Sequence, residues 1–261
     1  MSRSLTTLGK RSALIVLTPL LLLALWALSA AAYKSIPSPH DVFFAIAQSL
    51  TKRSSLIGIG YSLWRVAIAM LIAIALAIPL AAMAVHRGIP SGVLLRLVNS
   101  FRPIAPMAWI PIAILWLGSG DGAAIYIVTY AAFFPVFANL VDGIRTVDQR
   151  LVNAATVLGA GPFARICRVV IPAVMPYFLT GVRIGLASGW GAIIAAELAI
   201  GARGDAYASA GIGQMMYIAI AYDLNLNTII SLMLTVGIIA LVFDLFIRAM
   251  RDRIVFWYQG Q

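Results

Sequence analysis

An all-α membrane protein with six transmembrane helices is the fold class this sequence predicts, and three observations carry it. Apolar residues make up 62% of the 261-residue chain and charged residues 11%, with a mean hydropathy of +0.97. Soluble domains average about 45–50% and about 25%. Apolar stretches long enough to cross about 30 Å of hydrocarbon recur six times, over residues 13–33, 61–85, 93–117, 123–140, 177–200 and 228–250. The cations between them are unevenly shared. With the N-terminus inside, the inner segments hold twelve: Arg3, Lys10, Arg11, Arg87, Arg96, Arg145, Arg150, Arg165, Arg168, Arg248, Arg251 and Arg253. The outer segments hold four, Lys34, Lys52, Arg53 and Arg203. This asymmetry puts both termini in the cytosol. The whole of 1–261 reads as one transmembrane domain.

The formal net charge of +10 does not point to nucleic acid, because the charges sit in short clusters and no basic face is interleaved with exposed aromatics. The single Cys167 excludes an intrachain disulfide, and no His lies near it in sequence, so it reads as an inert thiol. His40 and His86 lack metal-ligand spacing, and no metal site is expected. No G-x-x-x-x-G-K-[ST], H-E-x-x-H or G-x-S-x-G sequence occurs. The chain is therefore not expected to bind ATP by a P-loop or to be an enzyme. Gly118-Ser119-Gly120-Asp121 and Tyr222-Asp223 match fragments of intramembrane aspartyl proteases, but in the reverse order and in loops.

The stretch 13–33 is longer than the 7–15 apolar residues of a signal peptide, so it reads as a retained helix. In the connection 36–55, Ser38-Pro39 with Asp41 starts a helix. Val42, Phe43, Ile46, Ala47 and Leu50 fall on one side of it, as in an interfacial helix. Arg65, near the outer end of the second span, either meets an anionic substrate or snorkels to the interface. Pro103, Pro106 and Pro111 break the third segment. Broken backbone at membrane depth belongs in a protein-lined setting, so this segment either lines a path or is a kinked packing helix. Arg102, Met107 and Trp109 are its path candidates.

Glu197 is the one acid placed within a span, near the outer end of the fifth. A carboxylate there is functional or paired. Arg183 is fourteen residues away, roughly 21 Å along a helix, so a partner on another helix or subunit is expected. Glu197 and Trp190 join the candidates for a path or gate, with a structural hydrogen bond as the alternative for Glu197. Residues 201–227 read as a loop rich in Gly, Ala and Tyr, with a G-x-G at Gly211 to Gly213.

The long polar interruption from Thr146 to Thr180 is predicted to be a cytosolic helical knuckle. Thr146 and Gln149 have the spacing of a capping box. Leu151, Ala155 and Leu158 share a face, and Gly159 is a helix stop. Gly161-Pro162 opens a second short helix, and Pro172 and Pro176 end the segment.

Asn153-Ala154-Ala155, Gly159, Val169, Ile171 and Pro172 resemble the "E-A-A-x3-G-x9-I-x-L-P" loop of ABC importer permeases, with Asn153 for Glu, Val169 for Ile and Ile171 for Leu. The run from Arg102 to Gly118, Ser62-Leu63-x-Arg65-Val66 and the "W…A-A-E" from Trp190 to Glu197 resemble the nitrate/sulfonate/taurine/bicarbonate permeases, nearly end to end. Residues 179–186, with Gly189-Trp190 and 195–198, look closest to the taurine type. The resemblance implies a type I ABC importer permease fold, with a coupling helix between spans four and five that docks on the ATP-binding subunit. Asn153, Ala154, Ala155, Leu158, Gly159, Ala160, Val169, Ile171 and Pro172 would form that contact. It implies two ATP-binding subunits carrying ATP and Mg, a second permease copy and a periplasmic or lipid-anchored solute-binding protein, in a bacterial inner membrane. The expected substrate is taurine or another sulfonate, with nitrate, bicarbonate or a vitamin precursor as alternatives. A secondary transporter, working without an ATPase, is the competing class.

Overall fold

The computed structural model describes residues 2–33, 37–86, 91–201 and 210–254, with side chains from Leu17 on apart from 49, 50, 91, 252 and 254. Side-chain expectations at Arg3, Lys10, Arg11, Lys34, Arg87 and Arg203, and the tail 256–261, lie outside the described residues. Every regular element among the described residues is helical.

Helix α1 (Ser2–Ala32) is followed by the short α2 (Pro39–Thr51). Ser38 caps α2 as its composition predicts: its Oγ accepts the Asp41 N–H at 3.1 Å and donates to the Asp41 carboxylate at 2.7 Å. That hydroxyl holds the Asp41 carboxyl below the usual carboxylate range. The outward Phe43 and Phe44 fit an interfacial helix. Helix α3 (Arg53–Val85) starts eight residues before the predicted second span, because nothing after Lys52 breaks the helix.

The third segment is broken where its prolines fall. Helix α4 (Ser91–Phe101) and the stretch Pro106–Leu117, a 3₁₀ turn (Pro106–Trp109) running into α5 (Ile110–Leu117), are bent by 81°. Helix α6 (Asp121–Arg145) then forms the centre of the bundle, between α3 and α9 (Ile171–Ile200). The contact surfaces are made of small residues. On α3, Ala69, Ala73, Ala77 and Ala81 recur every fourth position and are fully buried. On α9, Gly181, Gly185 and Gly189 face α6, where a Cβ at Gly185 would lie 3.0 Å from the Ala132 carbonyl. Small residues let helix backbones approach where hydrophobic exclusion from water cannot drive association. The opposite faces expose large apolar side chains such as Leu71 and Ile184, as a lipid-facing surface does.

Among the described residues four helical stretches are long and apolar enough to cross a membrane: Arg53–Val85, Asp121–Arg145, Pro162–Ile200 and Leu226–Arg251. The bent pair makes a fifth if taken as one span, and Leu17–Ala32 is apolar but shorter.

Two local expectations are corrected in the knuckle. Asp148, not a Thr146–Gln149 box, starts α7 (Gln149–Val157), its side chain accepting from Arg150 N–H at 2.8 Å. Helix α6 runs on to Arg145, so Thr146 is its C-cap, and its hydroxyl donates to Gly143. Pro172 and Pro176 do not end the segment either. Helix α8 (Pro162–Arg165) passes through a π turn (Ile166–Val170) straight into α9. The π turn puts Pro172 in the first positions of α9, where its missing N–H costs little. A third correction concerns 201–227, which holds helix α10 (Ile212–Ala221) before α11 (Leu226–Ile254). At ten residues α10 is too short to span and too short to stand out as a period.

Candidate functional site

Three arrangements are built by this fold. The first sits where α3, α6, α9 and α10 meet. Glu197 on α9 is fully buried, and its partner is on another helix, as expected. Arg65 of α3, 3% exposed, donates Nη1 to Glu197 Oε1 at 2.7 Å. The same guanidinium gives Nε and Nη2 to Asp121 Oδ1, at 2.9 and 2.7 Å, at the first residue of α6. Arg65 therefore neither snorkels nor stands open to a ligand in this conformation.

The remaining valences of Glu197 are filled by α10 and by Ser62 of α3. Gly213 N–H donates to Oε2 at 2.9 Å. Ser62 Oγ lies 2.9 Å from both carboxylate oxygens, donates to them, and accepts Ile212 N–H at 2.9 Å. Gly211 N–H goes to the Gln214 side chain at 3.0 Å. The N-cap N–H and the first two N–H groups of α10 are thus satisfied by buried side chains, and Glu197 supplies the negative charge that a helix N-terminus favours. This explains the G-x-G. A Cβ on Gly213 would sit 2.6 Å from the Ile194 carbonyl and 2.7 Å from Glu197 Cβ, and one on Gly211 would overlap the Glu197 carboxylate.

The second arrangement is a cleft of about 460 Å³ beside the broken segment. It brings together Arg102 and Met107 with Tyr130 and Phe134 of α6 and Ser188 and Gly191 of α9. Tyr130 pins the break by donating its hydroxyl to the Phe101 carbonyl at 2.6 Å. Trp109 stands behind this wall, its ring centroid 5.5 Å from that of Tyr130. Its indole Nε1 is buried with no partner among the described residues. Trp190 points the other way: its Nε1 donates to Val236 of α11 at 3.0 Å and its ring meets Phe243 edge-on. The six path candidates are therefore not one site; Arg102 and Met107 line the cleft, Arg65 and Glu197 form the buried pair, and the tryptophans flank them.

The third arrangement is the knuckle. Gly159 ends α7 with φ +78°, the left-handed conformation that glycine adopts without strain. Asn153 and Ala154 are exposed, Ala155 and Ala160 half-buried. Val157, Leu158 and Phe163 project with 88%, 86% and 79% of their surface open, in a stretch that also exposes Arg150 and Arg168. Ile171 is exposed, while Val169 and Pro172 are half-buried at the root of α9. Val157 and Phe163 were not singled out from sequence, although both are apolar residues in a polar stretch.

A further acid escaped the sequence reading. Asp244 lies within α11 and accepts from Arg183 Nε and from Arg248 Nε, the latter at 2.7 Å. Arg248 follows it by one helical turn, which was the signal available. Asp121 and Asp223, the fragments of the protease reading, do not form a pair: Asp121 holds Arg65, and Asp223 lines a different cleft with Lys52 and Asn225.

Residues 73–258 match the family model described as binding-protein-dependent transport system inner membrane component. The chain is 36% identical over 225 residues to a probable ABC transporter permease protein of Brucella abortus, covering 86% of each. It is 29% identical over 197 residues to the taurine transport system permease protein TauC of Escherichia coli, covering 76% of this chain and 69% of that one. It is 34% identical over 155 residues to the nitrate import permease protein NrtB of a Synechocystis strain, covering 59% and 53%. Among solved structures, an inward-facing conformation of the MetNI methionine ABC transporter shares the fold, with a TM-score of 0.63 at 16% identity over 77% of this chain and 96% of that one.

Proposed function

This chain belongs to the family of binding-protein-dependent transport inner membrane components and is the permease subunit of an ABC importer, within which we propose that it passes a small sulfonate such as taurine. The family implies an ATPase on separate subunits and a solute-binding partner. The observation that carries the coupling half of the reading is the exposed Val157–Leu158–Phe163 edge on a polar knuckle. An apolar edge set among charges suits burial against a protein rather than lipid. The knuckle would then be the coupling helix, seated on the ATPase through 153–163, with Val169, Ile171 and Pro172 as its root. On this reading the knuckle and both termini would be cytosolic and the Glu197 end of the bundle outside. Helix α1 would be the first of six spans, and 1–261 one permease domain. Two copies, a homodimer in the plasma membrane, would enclose the path.

The substrate half rests on the Arg102 cleft. It offers one guanidinium in a wall of Met107, Tyr130, Phe134 and Ser188, within the usual volume of a small-ligand site of about 300–1,000 Å³. A forked guanidinium suits a sulfonate or carboxylate head. Nitrate and bicarbonate fit the charge but leave more of the apolar wall empty. ATP-driven uptake of labelled taurine into proteoliposomes, carrying the chain with its co-purified ATPase and binding protein and competed with nitrate, tests this. Uptake that nitrate suppresses as well as unlabelled taurine does would overturn the sulfonate reading.

A further inference from the structure

The buried carboxylate is engaged from every side, yet one of its partners is the end of a short helix that does not cross the bundle. Helix α10 has only ten residues and is held at its N-terminus by Glu197 and Ser62. Glu197 itself sits near the end of a helical run, Pro162–Ile200, that begins inside the knuckle. Along that run the close contacts at Gly181 and Gly185 keep α9 against α6. Toward the knuckle end, Arg183 on α9 is tied to Asp244 on α11.

We infer that Glu197 and Arg65 are positioning residues that make α10 follow α9, so that displacement of the knuckle reaches the opposite mouth of the bundle through this pair rather than through substrate contact. The inference rests on the transport reading above. Four features support it. Glu197 is fully buried and its oxygens are occupied, which leaves no room for a ligand in this conformation. The contact to α10 is made through backbone N–H groups, so it grips the helix rather than one side chain. Gly211 and Gly213 leave no gap for α10 to shift relative to α9 without losing the carboxylate. The second arm of Arg65 reaches Asp121, whose side chain is 63% exposed, so the same cation joins Glu197 of α9 to the first turn of α6.

The test uses the assembled complex with its co-purified ATPase in nanodiscs, with Cys167→Ser and Ile220→Cys as the reporter. Ile220 lies on α10 and is half exposed. The reading is the rate at which a membrane-impermeant maleimide labels the reporter, with and without ATP plus vanadate. The expected result is a several-fold, nucleotide-dependent change in the parent, lost in Glu197→Gln and reduced in Ser62→Ala, with ATPase co-purification retained. Ser62→Ala leaves the ion pair intact, so it remains readable if Glu197→Gln fails to assemble. A purely structural role would alter assembly or the resting rate but not the nucleotide response. A response in Ser62→Ala and Glu197→Gln equal to the parent overturns the inference alone. No response in the parent also overturns the inference, whereas failure of the ATPase to co-purify with the parent would count against the transport reading on which it rests.

Discussion

Arg65 and Glu197, 132 residues apart in the chain, meet at 2.7 Å in the interior of the helix bundle. Removing Arg65 leaves the buried Glu197 carboxylate without its cation, which costs about 3–5 kcal/mol, whereas removing both is far milder; when Glu197 alone is replaced, Arg65 keeps Asp121. Arg65→Gln should lower the thermal stability of the purified complex sharply, and Glu197→Gln by less. Arg65→Gln/Glu197→Gln should recover a large part of the loss. A double variant whose loss equals the sum of the two singles would contradict the direct pairing.

The close approach of α10 to α9 predicts a contrast between two glycines. Gly213→Ala places a methyl 2.6 Å from the Ile194 carbonyl and should cost about 1–3 kcal/mol. Gly237→Ala, in α11, meets nothing within 4 Å and should be neutral or stabilising by up to about 1 kcal/mol. Thermal unfolding followed by fluorescence-detected size exclusion distinguishes them, and equal midpoints would contradict the packing at Gly213.

At Gly159 the demand is on backbone conformation, since no atom lies within 4 Å of where a Cβ would stand. Gly159→Asn should retain most ATPase co-purification, because Asn visits the left-handed region readily. Gly159→Val should lose it, with a local cost of about 1–2 kcal/mol and an intact bundle. Similar retention in both variants would contradict the role of this turn.

For the cleft, Arg102→Ala should abolish ATP-driven sulfonate uptake while leaving assembly unchanged, and Arg102→Lys should restore charge but not the forked geometry, giving partial uptake. Initial uptake rates at several substrate concentrations check this. Full uptake by Arg102→Ala would move the path elsewhere.

Several features were legible in the sequence because a single residue type dictates them. Three prolines predict the break in the third segment, and Gly159 predicts the turn of the knuckle. Glu197 predicts a partner off its own helix, since a carboxylate at that depth needs one and Arg183 is too far along the helix. Other features depend on what neighbouring helices offer, which spacing does not reveal. Thr146 has the composition of a start but is used as a stop, because α6 continues to reach it. Pro172 and Pro176 look like terminators, yet a π turn carries the chain past the first, and the second is absorbed within α9. Helix α10 was hidden because its end is stabilised largely by Ser62 and Glu197, far away in the chain, with Gln214 alone capping it locally. Asp244 was passed over among the arginines that close the last helix, although its spacing to Arg248 marks it.

The knuckle is expected to seat on a separate ATPase. The measurement that tests it most directly is site-specific cross-linking from Leu158, with a photoreactive residue at that position in native membranes and the product identified by mass spectrometry. The account predicts one dominant adduct, a P-loop ATPase, lost when Gly159 is replaced by Val. An adduct with lipid alone, or with no nucleotide-binding protein, while the chain remains folded, would contradict it.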